Sequence, residues 1–96
     1  MHDFKAIAKE VLELEAKELL NAAALIGDEM QEATELVANI KGKLIITGVG
    51  KSGLIGAKIA ATLASTGTSS FFLHPTEALH GDLGMIGKED AVLAIS

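Results

Sequence analysis

The sequence contains no cysteine, no arginine, no tryptophan and no tyrosine. Without cysteine the chain can form no disulfide, use no thiolate nucleophile and build no cysteine-based zinc site. Without arginine, and with a net charge of -5, it lacks the basic surface that a nucleic-acid backbone requires. The first twenty residues are interrupted by charges and contain neither a signal-peptide core nor a membrane span. These absences predict a cytoplasmic protein that binds neither nucleic acid nor membrane.

The apolar residues of the sequence are mainly small or aliphatic. Apolar residues make up 49% of the 96-residue chain, whereas aromatic residues make up 3%, all of them Phe. A core must therefore be assembled from Ala, Leu, Ile and Val, which suits helices packed closely on a sheet. The length predicts one domain or part of a larger one.

Two amphipathic helices are predicted within residues 1–42. The first follows Asp3 as N-cap, and the second runs from about Glu29 to Ile40 after a break at Gly27 and Asp28. The apolar positions of the first helix are Phe4, Ile7, Ala8, Val11, Leu12, Leu19 and Leu20. These helices either pack on the following sheet or pair with a second copy of the chain, and the second alternative predicts a homo-oligomer, a dimer or a tetramer.

Residues 43–96 predict an α/β arrangement. Three short apolar runs, at Lys43–Thr47, Ser69–Leu73 and Ala91–Ile95, are typical of buried strands. A helical pattern at Ser52–Ser65 separates the first two. This order favours parallel strands joined by right-handed crossovers, in three layers.

The segment LIITGVGKSGLIGAK, Leu44–Lys58, contains two nucleotide-binding patterns, and each lacks a required residue. An ATPase loop needs a glycine five positions before Gly50, where this chain has Ile45 inside the first strand. A Gly-x-Gly-x-x-Gly dinucleotide motif is present, but the acidic residue expected after the second strand is replaced by His74. What remains is a helix N-terminus with Lys51 beside it, which suits an anion or a polarised oxygen. The alternative is a tight turn whose lysine is merely solvated.

A second cluster of polar residues, HPTEALHGDLGMI, follows the second strand. His74, His80, Glu77 and Asp82 lie within nine residues of one another. Helical spacing after Pro75 would place Glu77 and His80 on one face, where a histidine can move protons and a carboxylate can orient it. The spacing differs from that of zinc hydrolases, so a catalytic metal is weakly supported. The alternative is that these are surface or capping residues.

Residues 48–86, GVGKSGLIGAKIAATLASTGTSSFFLHPTEALHGDLGMI, resemble the sugar isomerase (SIS) domain of arabinose-5-phosphate isomerases. The resemblance implies a Rossmann-like or flavodoxin-like sheet domain of which residues 43–96 are the first half, without the CBS domains of many members. It also implies interconversion of D-arabinose 5-phosphate and D-ribulose 5-phosphate for the 3-deoxy-octulosonate of lipopolysaccharide or capsule. The family is similar in requiring no organic cofactor and in forming tetramers.

The same resemblance implies roles for individual residues. Lys51 corresponds to the active-site lysine, and His80 is expected to assist ring opening or proton transfer. The expected substrate-binding residues are Gly50, Ser52, Gly67, Thr68, His74, Glu77, His80 and Ser96. His74 is also a possible ligand of an inhibitory zinc ion, which would be adventitious rather than required.

The catalytic base implied by the resemblance lies downstream of a Ser-Asn-Ser-Gly-Glu loop, and Ser96 is the first serine of that loop. The fragment alone is therefore expected to be inactive. Glu77 is a weak candidate for the base. The alternative function is a non-catalytic sugar-phosphate-binding module or regulator, for which the two histidines would be unnecessary.

Overall fold

A computed structural model describes residues 1–96 apart from the side chain of Asp82. In chain order the elements are α1 (Phe4–Leu25), α2 (Asp28–Asn39), β1 (Leu44–Gly48), α3 (Lys51–Ser65), β2 (Ser70–Phe72), α4 (Pro75–Leu79), a 3₁₀ turn (Asp82–Met85) and β3 (Ala91–Ile95). This order confirms the predicted α/β arrangement with two helices ahead of the sheet. The predicted bounds differ by one residue at several ends, and the 3₁₀ turn was not predicted.

The sheet has three parallel strands in the order β2-β1-β3. Leu44 pairs with both Ser70 and Ala91, and the pairing of β1 with β3 continues to Gly48 and Ile95. The carboxyl ends of β1 and β3 therefore lie side by side. In open parallel sheets this is the edge where ligands bind.

The core is built around the central strand. Ile45 and Ile46 have no exposed surface, and Leu44, Ala60 and Leu73 are also buried. Leu44, Ile46 and Ala60 form one cluster. The half-buried apolar residues that pack on it are Val37, Ile40, Ile59, Leu63, Phe72, Ala91 and Ile95. Successive side chains of β1 point to opposite faces of the sheet, and Leu44, Ile45 and Ile46 are all buried. Both faces of the strand are therefore covered, which is why its sequence is continuously apolar.

The chain divides into two compact units, Met1–Thr34 and Glu35–Ser96. In the first unit, Asp3 caps α1 by accepting a hydrogen bond from the Ala6 N–H at 3.1 Å. None of the α1 residues is buried, and several large apolar side chains of this helix are exposed, including Phe4, Leu19 and Leu20. Across the described residues, no helix combines the length and the apolar character needed to cross a membrane.

Asp90 joins the loops that precede β1 and β3. Its Oδ1 accepts a hydrogen bond from the Lys43 N–H at 2.7 Å, and its Oδ2 accepts one from the Gly87 N–H at 2.7 Å. Hydrogen bonds from the Gly42 N–H to the Glu89 carbonyl and from the Ala91 N–H to the Lys43 carbonyl complete the connection. The donor groups, first that of Lys43 and then that of Gly87, hold the pKa of the Asp90 carboxyl below its ordinary value.

Candidate functional site

The turn between β1 and α3 depends on the backbone freedom of glycine. Gly50, the N-cap of α3, has φ +62° and ψ -130°, a conformation that residues with a Cβ rarely adopt. A Cβ at this position would meet nothing within 4 Å, so the requirement is conformational and not one of space. Gly50 also offers no side chain to cap the helix. The Gly53 N–H donates to the Val49 carbonyl at 3.4 Å, so the N–H groups of Lys51 and Ser52 are the ones left to attract an anion or a polarised oxygen.

Gly53 and Gly48 bring α3 into direct contact with the end of β1. A Cβ on Gly53 would lie 2.7 Å from the carbonyl oxygen of Gly48. A Cβ on Gly48 would lie 3.0 Å from the carbonyl oxygen of Ile95 and 3.0 Å from the carbonyl carbon of Ser52. Backbone thus packs on backbone, and the helix N-terminus sits directly over the sheet edge.

An open cleft of about 380 Å³ lies at this edge. Its lining residues come from the ends of β1 and β3 and the starts of α3 and α4, and they are Thr47, Gly48, Val49, Ser52, Pro75, Ala94, Ile95 and Ser96. The volume falls near the lower end of the range for small-molecule sites. Two predicted substrate-binding residues, Ser52 and Ser96, are brought together here. The remaining lining residues were missed, although the rule that ligands bind at strand ends points to Thr47 and Ile95.

Lys51 is the first residue of α3 and is exposed. Among the described side chains, no carboxylate forms an ion pair with its ammonium group. The positive charge of Lys51 lies at the N-terminus of α3, which carries a partial positive charge of its own, so both attract an anion. Lys51 does not line the cleft itself, and its role in binding a phosphate or a developing oxyanion stays a prediction.

His74 lies between β2 and α4 and is the N-cap of α4. Its Nδ1 accepts a hydrogen bond from the Thr76 N–H at 3.1 Å. The segment before it is anchored, because Leu73 is buried and its N–H donates to the Ile46 carbonyl at 2.8 Å. Pro75, the next residue, occupies the first turn of α4 and lines the cleft. His74 is thus adjacent to the cleft and held by its neighbours.

Glu77 and His80 lie on and directly after α4, and both are exposed. Glu77 is in the first turn, and His80 is the C-cap, with its N–H donating to carbonyls of the last turn. Neither residue lines the cleft. Their roles as substrate-contacting groups stay predictions, and the Asp82 side chain lies outside the part of the chain that is described.

Gly67 and Thr68 lie at the other end of α3, before β2. Gly67 has φ +105°, and the Thr68 N–H donates to the Leu63 carbonyl at 2.9 Å. The 15 residues of α3 span about 22 Å at 1.5 Å per residue, so this turn is far from Lys51. Within this chain the two residues are not brought to the cleft, and their contact with substrate stays a prediction.

The described residues contain no group of three or more His, Asp or Glu side chains arranged to hold a metal ion. Zinc prefers four ligands, of which His74 offers one imidazole. An inhibitory zinc at His74 therefore stays a prediction.

The model of the SIS domain family matches residues 36–96. Among curated proteins, the chain is 53% identical over 94 residues to the arabinose 5-phosphate isomerase KdsD of Pseudomonas aeruginosa, covering 98% of this chain and 29% of that protein. It is 51% identical over 88 residues to the arabinose 5-phosphate isomerase GutQ of Escherichia coli, covering 92% of this chain and 27% of that protein. The chain thus spans less than a third of the length of these relatives.

A solved structure, that of the Escherichia coli CFT073 protein c3406 in complex with arabinose 5-phosphate, matches the whole chain with a TM-score of 0.89 and 43% sequence identity. The chain covers 52% of that structure. The sheet and its preceding helices therefore correspond to about half of that protein.

Proposed function

The chain belongs to the SIS domain family, and we propose that it forms the N-terminal part of an aldose-ketose isomerase acting on D-arabinose 5-phosphate and D-ribulose 5-phosphate. The observation that carries the proposal is the cleft at the carboxyl ends of β1 and β3, with Ser52 and Ser96 in its lining. The similarity of the chain to arabinose 5-phosphate isomerases, at 53% identity for one of them, supports the choice of substrate.

The proposed reaction moves a carbonyl from C1 to C2. A base removes the C2 proton, and the negative charge passes to the C1 oxygen to give an enediolate. A proton then moves from the C2 hydroxyl to the C1 oxygen, and protonation of C1 leaves the carbonyl at C2. Lys51 and the first turn of α3 would stabilise the negative charge on the intermediate. His80 would assist ring opening or proton transfer, and His74 and Glu77 would contact the sugar.

The base is proposed to lie in the part of the relatives that this chain does not span. Among the described residues, the cleft lining includes no Asp or Glu side chain. Glu77 is the described carboxylate on α4, and it is exposed outside the lining. The chain alone is therefore proposed to be inactive.

Assembly, cofactor use and pathway belong to the same proposal. The exposed apolar side chains of α1 support a homo-oligomer. The proton-transfer chemistry requires no organic cofactor. The product would supply 3-deoxy-octulosonate for lipopolysaccharide or capsule, in keeping with a cytoplasmic protein.

A chimera tests the proposal, with this chain replacing the corresponding N-terminal residues of Pseudomonas aeruginosa KdsD. Formation of ribulose 5-phosphate from arabinose 5-phosphate is followed for the chimera, for Lys51→Ala and for Lys58→Ala, a matched control because both lysines are exposed on α3. We expect Lys51→Ala to lose about 10²–10³-fold in kcat/KM, as for loss of an oxyanion-stabilising group. Lys58→Ala should stay within about twofold of the parent, since ΔΔG‡ then falls below about 0.4 kcal/mol.

Two results would contradict the proposal. Full activity in Lys51→Ala would remove the role of this lysine. A folded chimera that binds arabinose 5-phosphate tightly without turning it over would favour the non-catalytic sugar-phosphate-binding module.

A further inference from the structure

The environment of His74 defines where its imidazole carries a proton. The Thr76 backbone N–H can only donate, and it donates to Nδ1 at 3.1 Å. An acceptor nitrogen must hold a lone pair, so the proton of the neutral ring has to reside on Nε2. The same bond caps α4, which means that the other tautomer would leave a helix N–H without its acceptor.

Phe72 supports the imidazole from the sheet. The two ring centroids are 6.3 Å apart and the rings are inclined at 71°, an edge-to-face contact. Phe72 is itself held against α3, because Cβ atoms on Gly53 and Gly56 would lie 3.4 and 3.3 Å from its ring. The ring orientation of His74 is thus tied to the helix that carries Lys51 and Ser52.

The opposite nitrogen is available to a ligand. His74 is exposed, and among the described residues Nε2 has no hydrogen-bond partner. The next residue, Pro75, lines the cleft. A protonated Nε2 donates a hydrogen bond, whereas a base would need a lone pair there.

We propose that the Thr76 backbone N–H and the Phe72 ring fix His74 as the Nε2–H tautomer, so that His74 serves as a hydrogen-bond donor to a substrate oxygen and not as a base. Phe72 is a positioning residue in this arrangement. The tautomer is independent of the proposed function. Only the identification of the acceptor as an oxygen of the sugar phosphate rests on it.

NMR of the chain labelled with ¹⁵N tests the tautomer directly. The chain has three histidines, and His80 serves as the internal reference because its ring has no partner among the described residues. We expect a protonated Nε2 at His74, together with a scalar coupling across the hydrogen bond between the Thr76 amide nitrogen and Nδ1. A protonated Nδ1, or the absence of the coupling in the neutral ring, would overturn the assignment.

Variants separate the contributions of the neighbours. Thr76→Ala should leave the coupling unchanged because the donor is backbone. Phe72→Leu should weaken it, whereas Phe71→Leu, at the adjacent half-buried position of β2, should not. If Phe72→Leu fails to fold, nuclear Overhauser contacts between the Phe72 and His74 rings in the parent chain decide the point, and their absence would refute the supporting role.

The donor role is tested in the KdsD chimera with His74→Asn and His74→Asp. Both side chains cap a helix well, but only Asn keeps an N–H donor. We expect KM for arabinose 5-phosphate to rise by less than about tenfold in the Asn variant and by more in the Asp variant. A collapse of kcat in the Asn variant, with kcat largely kept in the Asp variant, would instead identify His74 as a base and overturn the donor role, because a carboxylate can take up a proton and an amide cannot. An inactive parent chimera would refute the proposed function and leave the NMR result standing.

Discussion

Replacing Gly53 by Ala should destabilise the chain, although the same change stabilises most helices. Ala is favoured over Gly in a helix interior by about 1 kcal/mol. Here the added methyl group would lie 2.7 Å from the Gly48 carbonyl oxygen and 3.4 Å from the Phe72 ring. Because the oxygen belongs to the backbone, α3 has to move by several tenths of an ångström to restore an ordinary contact. Such overpacking costs about 1–3 kcal/mol, so the net loss should be about 0–2 kcal/mol.

Urea unfolding of Gly53→Ala measures this difference, with two other variants as references. Gly84→Ala makes the same chemical change where nothing lies within 4 Å, and its free energy of unfolding should stay within about 0.5 kcal/mol of the parent. Gly56→Ala would meet the Cγ2 atom of Ile46 at 3.0 Å and the Phe72 ring at 3.3 Å. Side chains can shift where backbone cannot, so the cost at Gly56 should be smaller than at Gly53.

The outcome that would refute the reasoning is a gain in stability. If Gly53→Ala were about 1 kcal/mol more stable than the parent at an unchanged m value, the preference of a helix for Ala over Gly would appear with no packing cost to oppose it. The close approach of α3 to β1 would then be absent. In the KdsD chimera, the expected shift of α3 also predicts a lower kcat/KM, because Lys51 and Ser52 would move with the helix.

Three further predictions concern other parts of the chain. Asp90→Asn should lower the urea midpoint at neutral pH, because Asn replaces one acceptor oxygen by a donor that would face an N–H group. The pKa of Asp90 is lowered in the folded state, so its contribution to the free energy of unfolding is complete above the ordinary carboxyl pKa and is lost as the pH falls through the folded-state pKa. Urea midpoints measured from neutral to acidic pH should therefore fall more steeply in the parent than in the variant. Because Ile46 is fully buried, Ile46→Ala should lower the free energy of unfolding by about 2–5 kcal/mol and Ile46→Val by about 0.5–1.5 kcal/mol in the same assay. Equal losses in the two variants would contradict the central place of Ile46 in the core. Asp3→Ala should cost α1 about 1 kcal/mol, seen as faster amide hydrogen exchange at Ala6, and unchanged exchange would show that the cap is not formed.

Local patterns predicted most elements of this fold. The continuous apolar run of β1 and the glycines after it identified a buried strand followed by a helix, and the structure places these elements at Leu44–Gly48 and Lys51–Ser65. The carboxyl ends of parallel strands share an edge, so the position of the cleft also followed from the order of elements. The ends of elements differ from the predicted ones by a single residue in helices and strands alike, because the ends are the least sharply defined part of an element.

Contacts between distant residues were not predictable in this way. Asp90 and Lys43 are 47 positions apart, and nothing in either local sequence indicates their hydrogen bond. The contact of Phe72 with Gly53 and Gly56 likewise depends on how α3 lies on the sheet. The same holds for Gly67 and Thr68, since a motif shows that residues occur together in a family but not which sheet edge they occupy.

The glycine motif illustrates how one sequence pattern can satisfy several physical requirements. Gly50 is needed for a positive φ, whereas Gly53 and Gly48 are needed because other backbone atoms lie where a Cβ would be. Neither requirement specifies a nucleotide. Both serve to bring an uncapped helix N-terminus close to the ends of β1 and β3. The motif therefore determines that an anion or polarised oxygen is favoured at this edge, and the residues added by α4 and β3 must determine which ligand presents it.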